Sequence, residues 1–174
     1  LTTSTHILPF PNMPLLENPT LSEVKDALTT HRVICIGAFS GEKHKLGPSA
    51  LCAQELASVA DYVFVEADGS KRLPLKAHAP HEPVIPEGSR HTIQVVGLSG
   101  FGLPVNQTVH RSEIFCDRTG CSPDDLATSE RIAMVIAAEH ASGAVQADII
   151  LVNQAKSEKD LALARDFTKE LRLR

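Results

Sequence analysis

The sequence predicts an α/β protein, a mainly parallel sheet with helices on both faces, formed by residues 1–174 as a single domain. Three observations lead there. Apolar runs of strand length alternate with longer segments of helical period. The strand runs are continuously apolar, as suits strands buried on both faces. The chain has 174 residues, 43% of them hydrophobic and 22% charged, which is enough for one sizeable core.

Taken in order, Thr2 to Thr5 is a short β-branched strand. Pro9, Pro11, Pro14 and Pro19 then break regular structure, and Thr20 or Ser22 caps a short helix reaching Leu28. Arg32 to Gly37 is a continuous apolar strand, and residues 49–60 have a helical pattern. Tyr62-Val63-Phe64-Val65-Glu66 is expected to be the clearest strand, ended by Asp68-Gly69-Ser70. Residues 92–97 form another strand, with a glycine loop over 97–102. Ser122-Pro123-Asp124-Asp125 reads as a helix start, with a serine cap and acids in the first turn. A helix over residues 129–140, a strand over 148–153 and an amphipathic helix over 157–171 complete the pattern. Thr5, Asp68, Gly97 and Asn153 each follow a strand run, so they are expected along one sheet edge, where ligands of parallel sheets bind.

Net charge is −4, with 17 Lys and Arg against 21 Asp and Glu, which gives no basic footprint for nucleic acid or an anionic membrane. No run approaches the roughly 20 apolar residues of a membrane span. The four cysteines, Cys35, Cys52, Cys116 and Cys121, lack CxxC spacing and are expected as free thiols, with Cys35 and Cys52 buried. A cytoplasmic setting follows from that usage.

The densest chemistry is at Glu66-Ala67-Asp68-Gly69-Ser70-Lys71-Arg72. Two carboxylates where an apolar strand runs out suit Mg2+, bound directly or through water. Lys71 and Arg72, just beyond, suit an anion such as polyphosphate. A plain turn and a solvated basic loop are the competing readings. His78, His81 and Glu82 have metal-ligating side chains, but Pro80 and Pro83 deny them the helical spacing of a zinc site. Asn153 ends the last strand and is read as a support for a nucleotide's edge, although Lys156 stands where an aspartate would read guanine. The 97–102 loop runs into Pro104 rather than a helix and does not read as a phosphate loop.

Several segments together resemble the YqeC family, described as selenium-dependent hydroxylase accessory proteins. They are residues 1–7, the run from Glu66 to Ala77, His81-Glu82-Pro83-Val84-Ile85-Pro86, Val95-Val96-Gly97-Leu98, Val109-His110-Arg111 and Leu151-Val152-Asn153-Gln154. The stretch from Glu66 to Pro86 is the most specific. The resemblance implies a P-loop NTPase-like three-layer sandwich, whose Gly-Gly-Gly-Lys-Thr-Thr loop precedes the segment matching residues 1–7. This chain is therefore expected to be truncated at its N-terminus.

The resemblance implies Mg2+ and ATP or GTP as cofactors, and a molybdenum hydroxylase or its cofactor-maturation proteins as partners. Thr3, Thr5 and His6 would line the site, Glu66 and Asp68 would hold Mg2+ and orient water, and Lys71, Arg72 and Asn153 would bind the nucleotide. The chemistry would be phosphoryl transfer to water. The alternative is a non-catalytic module that binds a cofactor or client, with a vestigial nucleotide site.

Overall fold

A computed structural model describes residues 3–4, 13–39 and 45–174. Its contacts fall into two units, Leu1–Gly69 with Val84–Arg90, and Ser70–Pro83 with His91–Arg174.

In the first unit, strand β1 (Thr3–Ser4), β2 (Leu15–Glu17), β3 (Cys35–Phe39) and β4 (Lys45–Gly47) form one sheet in the order β1-β4-β3-β2. β2 and β3 are parallel and joined through helix α1 (Leu21–Thr30). β4 pairs antiparallel with both β3 and β1. Thr20 caps α1 as expected: its hydroxyl accepts from Glu23 N, and the Glu23 carboxylate accepts from Thr20 N at 2.7 Å. The helical pattern of residues 49–60 condenses to a short helix, α2 (Ala53–Ala57).

Residues 62–66, expected to be the clearest strand, form no strand. Tyr62 and Phe64 are 81% and 88% exposed, with their rings stacked 6.4 Å apart. An extended run becomes a strand only when a neighbour takes its backbone hydrogen bonds, and no described strand pairs with this one. Cys52 is also corrected: it is exposed, at the start of α2, while Cys35 is half-buried. All four thiols are free, as expected.

The second unit holds two parallel pairs. β5 (Leu75–Lys76) runs beside β7 (Val109–His110), and β6 (Ile93–Gly97) beside β8 (Ile149–Asn153). Val96 faces the core, whereas Ile93, Val95, Ile149 and Leu151 on the opposite face are about half exposed. Among the described residues, helix packing therefore covers one face of this pair rather than both. α3 (Val105–Thr108), α4 (Ser112–Thr119), α5 (Ser129–Ala141) and α6 (Glu158–Arg172) complete the unit. Phe115 of α4, Ile132, Val135 and Ile136 of α5 and Phe167 of α6 share one core with Leu75, Val96 and Val109. Ser157 caps α6 and Thr128 caps α5.

Residues 122–125 do not start a helix. The carbonyls of Pro123 and Asp125 accept from Asn106 N and Val105 N, so they serve the first turn of α3 instead. The pairings of the described strands are mixed, parallel in β2–β3, β5–β7 and β6–β8 and antiparallel elsewhere, in three sheets rather than one. The α/β class holds. Among the described residues no helix is long and apolar enough to cross a membrane.

Candidate anion-binding site

The carboxyl ends of β6 and β8 meet at Gly97 and Asn153, which face each other in register. Gly97 is required here by close approach. A Cβ on it would lie 2.8 Å from the Pro74 ring, and its own N–H donates to Pro74 O at 2.9 Å. Beyond Asn153 the chain turns at Gln154, whose φ is +67°. Asn153 Oδ1 accepts from Gln154 N at 2.7 Å, and Gln154 Oε1 accepts from the Ser99 hydroxyl at 2.5 Å. Asn153 thus braces the start of the loop that follows β8. The glycine loop is packed rather than open: a Cβ on Gly100 would lie 2.4 Å from Thr108 Oγ1.

Through Pro74 this strand end reaches the turn formed by residues 70–73. Leu73 N donates to Ser70 O at 3.0 Å, and Ser70 Oγ donates to Leu73 O at 2.8 Å. The two central residues are Lys71 and Arg72, with φ of +52° and +63°. Positive φ at both central positions is the pattern of a type I′ turn, which ordinarily takes Asn and Gly. A left-handed backbone costs about 1–2 kcal/mol at each such residue. Both side chains are exposed, and neither forms an ion pair among the described residues. A strained turn that presents two cations at the end of a parallel pair is suited to holding an anion.

Behind the turn lies an ion-pair network. Glu82 is 8% exposed and accepts from Lys76 Nζ at 3.0 Å and from Arg111 Nε and Nη2 at 3.0 Å each. Burial pushes its carboxyl up, but the bonds from Arg111 and Lys76 outweigh that and bring it from 4.5 to about 2. His110, opposite Lys76 in the β5–β7 register, is half-buried beside these groups.

A second network anchors the segment that follows β5. Glu139 of α5 is completely buried. It accepts from His78 N at 2.8 Å, from His78 Nδ1 at 2.9 Å and from Arg118 of α4. Gln94 of β6 reaches it at 3.4 Å, and His140 Nε2 lies 3.0 Å from Gln94 Oε1. Burial raises the Glu139 carboxyl, the His78 bonds and the Arg118 charge together outweigh that, and the balance leaves it below its ordinary value. Because an ionised carboxylate only accepts, His78 Nδ1 carries the hydrogen.

The site residues expected from sequence separate as follows. Lys71, Arg72 and Asn153 belong to the second unit and stand at or near the carboxyl end of β6–β8. Glu66 is exposed and Asp68 half-buried, both within the strandless segment of the first unit. The backbone of Thr3 pairs with Leu46, while Thr5 and His6 lie outside the described residues. Of the edge expected from Thr5, Asp68, Gly97 and Asn153, the second unit brings Gly97 and Asn153 together. Among the described residues, no group of three or more His, Cys, Asp or Glu is arranged to hold a metal.

Glu139 is the residue that reading the sequence missed, and a signal for it exists. It falls seven residues after Ile132, on the stripe of Ile132, Val135 and Ile136. A carboxylate at a core position of a helix calls for a buried partner.

Comparison with known proteins bears on the same region. The family model described as YqeC protein matches residues 1–113, a span that includes the cationic turn and Arg111. A protein of Escherichia coli (strain K12), named Uncharacterized protein YqeC, is 34% identical over 83% of this chain and 58% of its own length. The chain therefore spans under two thirds of that relative. No solved structure matches.

Proposed function

The chain belongs to the YqeC family, and from that premise we propose that it is a nucleotide-binding accessory protein in the maturation of selenium-dependent molybdenum hydroxylases. In this reading the full protein has a P-loop NTPase-like architecture, works in the cytoplasm and binds ATP or GTP with Mg2+. The observation that carries the anionic ligand is the turn of residues 70–73, where Lys71 and Arg72 occupy left-handed positions beside a parallel strand end. Lys71 offers a mobile point charge, and Arg72 a planar fork that matches two phosphate oxygens.

Mg2+ bound mostly by water and phosphate asks for only one or two protein carboxylates. Asp68 and Glu66 have the hard oxygen donors for that mode, though not for a cage built from protein alone. When bound, the ion would neutralise phosphate charge. Exposed cations on a turn serve binding more directly than they serve in-line attack by water. That favours, as a second reading, a module that binds the ligand without hydrolysing it.

The test is calorimetry of ATP and GTP with the full-length protein, with and without Mg2+, alongside a turnover assay. Lys71→Gly and Arg72→Gly are expected to weaken nucleotide binding about tenfold or more each. They should also raise stability by about 1 kcal/mol each, because glycine relieves the left-handed strain. Asp68→Asn is expected to reduce Mg2+-dependent binding more than Glu66→Gln does. Binding without turnover selects the second reading. Failure of the wild-type protein to bind either nucleotide would sink the first.

A further inference from the structure

Arg111 is the third cation of the second unit held in the left-handed region, at φ +64°, and it stands one residue past the end of β7. Glu82 grips its Nε and Nη2 and also holds Lys76 Nζ, all at 3.0 Å. Lys76 is the last residue of β5 and lies across the register from His110, the last of β7. Two parallel strands thus end on Lys76 and His110, Arg111 follows, and a carboxylate more than nine-tenths buried sets both cations in place. A buried ion-pair network contributes little net stability compared with apolar packing. A left-handed arginine costs about 1–2 kcal/mol more. Both features have a physical reason if the network serves recognition, at the end of parallel strands where ligands bind.

We propose that Lys76, His110 and Arg111 form a subsite for a tetrahedral oxyanion of the phosphoryl class, with Glu82 as its positioning residue. The inference deepens the proposed function and rests on it only for the ligand being a phosphate compound. Lys76 supplies a point charge, Arg111 a guanidinium charge oriented by Glu82, and His110 an N–H donor. The His110 ring is held below its ordinary value, first by burial and then by Lys76, Arg111 and Lys71, against the opposing pull of Glu82. Burial and these cations bias the ring towards its neutral form. An anion bound beside it favours the charged ring, so binding takes up a proton and affinity rises as pH falls.

The test uses the full-length protein and inorganic sulfate, which keeps its charge from about pH 5.5 to about pH 8, where histidines titrate. Nuclear magnetic resonance follows the His110 ring. Saturating sulfate is expected to raise its titration midpoint by on the order of one pH unit. His110→Asn should remove the pH dependence of sulfate binding. Arg111→Gly should weaken binding about tenfold or more in protein that remains folded. Glu82→Gln separates positioning from charge: loss of an anion alone would tighten sulfate binding, whereas loss of position weakens it, and weakening is expected. In that variant the sulfate-free His110 midpoint should also drop, because a neighbouring anion that raises it is gone. A midpoint unmoved by saturating sulfate in folded protein overturns the subsite, as does tighter sulfate binding by Glu82→Gln. If sulfate moves His110 but no nucleotide binds, the subsite stands and the nucleotide reading falls. If nucleotide binds and His110 stays unmoved, the reverse holds.

Discussion

Residues 62–66 and 93–97 are both five-residue apolar runs of strand composition, and they meet opposite fates. The second is β6, paired through its whole length with β8 and packed by Val96 against α5 and α6 residues of the core. The first has no described strand beside it and leaves two aromatic rings in solvent. Both runs are rich in strand-forming residues, so strand propensity did not decide. The difference lies in what each run finds at the right distance: a parallel neighbour to take its backbone bonds, and a helix face to take its side chains. The cationic turn, the Glu82 network and the Glu139 network all belong to the unit that contains the paired run. Side chains there are held in one arrangement by packing, the condition a binding site needs.

The contrast is sharpened most by removing what pins the ordered side. Glu139→Ala leaves His78 and Arg118 facing a cavity without the carboxylate that binds both. The expected loss is about 3–5 kcal/mol, the range for breaking a buried pair, measured by chemical denaturation. A loss under about 1 kcal/mol would mean that the buried network does not anchor the second unit.

Acid should act next, in the same place. The Glu82 carboxyl is lowered from 4.5 to about 2, so its contribution is fully present above pH 4.5 and lost as pH falls towards 2. Glu139 shifts in the same direction. Melting followed from neutral to strongly acidic pH should show stability falling through that window, and Glu82→Gln should flatten the fall. An equally steep fall in Glu82→Gln would assign the acid sensitivity to other carboxylates.

The smallest effect is expected on the unpaired side. Phe64→Ser should change stability by no more than about 0.5 kcal/mol, as exposed substitutions do, and amides 62–66 should exchange with solvent far faster than amides 93–97. A loss of about 2 kcal/mol or more, or slow exchange over 62–66, would break the comparison. It would mean that this run is buried in the working protein after all.

Local pattern was enough to read many of the elements. Thr20, one of two cap candidates for α1, does cap it, and the helical patterns over residues 129–140 and 157–171 become α5 and α6, because each of these signals lies within a few residues of chain. The alternation of strand and helix likewise gave the α/β class, and the cluster of charge at Lys71 and Arg72 marked a candidate site. Tertiary structure decided the rest. Whether residues 62–66 become a strand depends on a partner that no local pattern names. Residues 122–125 carry a good helix start, yet their carbonyls go to α3. Lys71 and Arg72 are ordinary letters until the backbone places both at positive φ. Glu82 takes Lys76 from six residues away and Arg111 from 29, and Glu139 takes His78 from 61. Contacts at those separations are fixed by how the helices and strands pack together, and only the folded chain brings such residues within hydrogen-bonding distance.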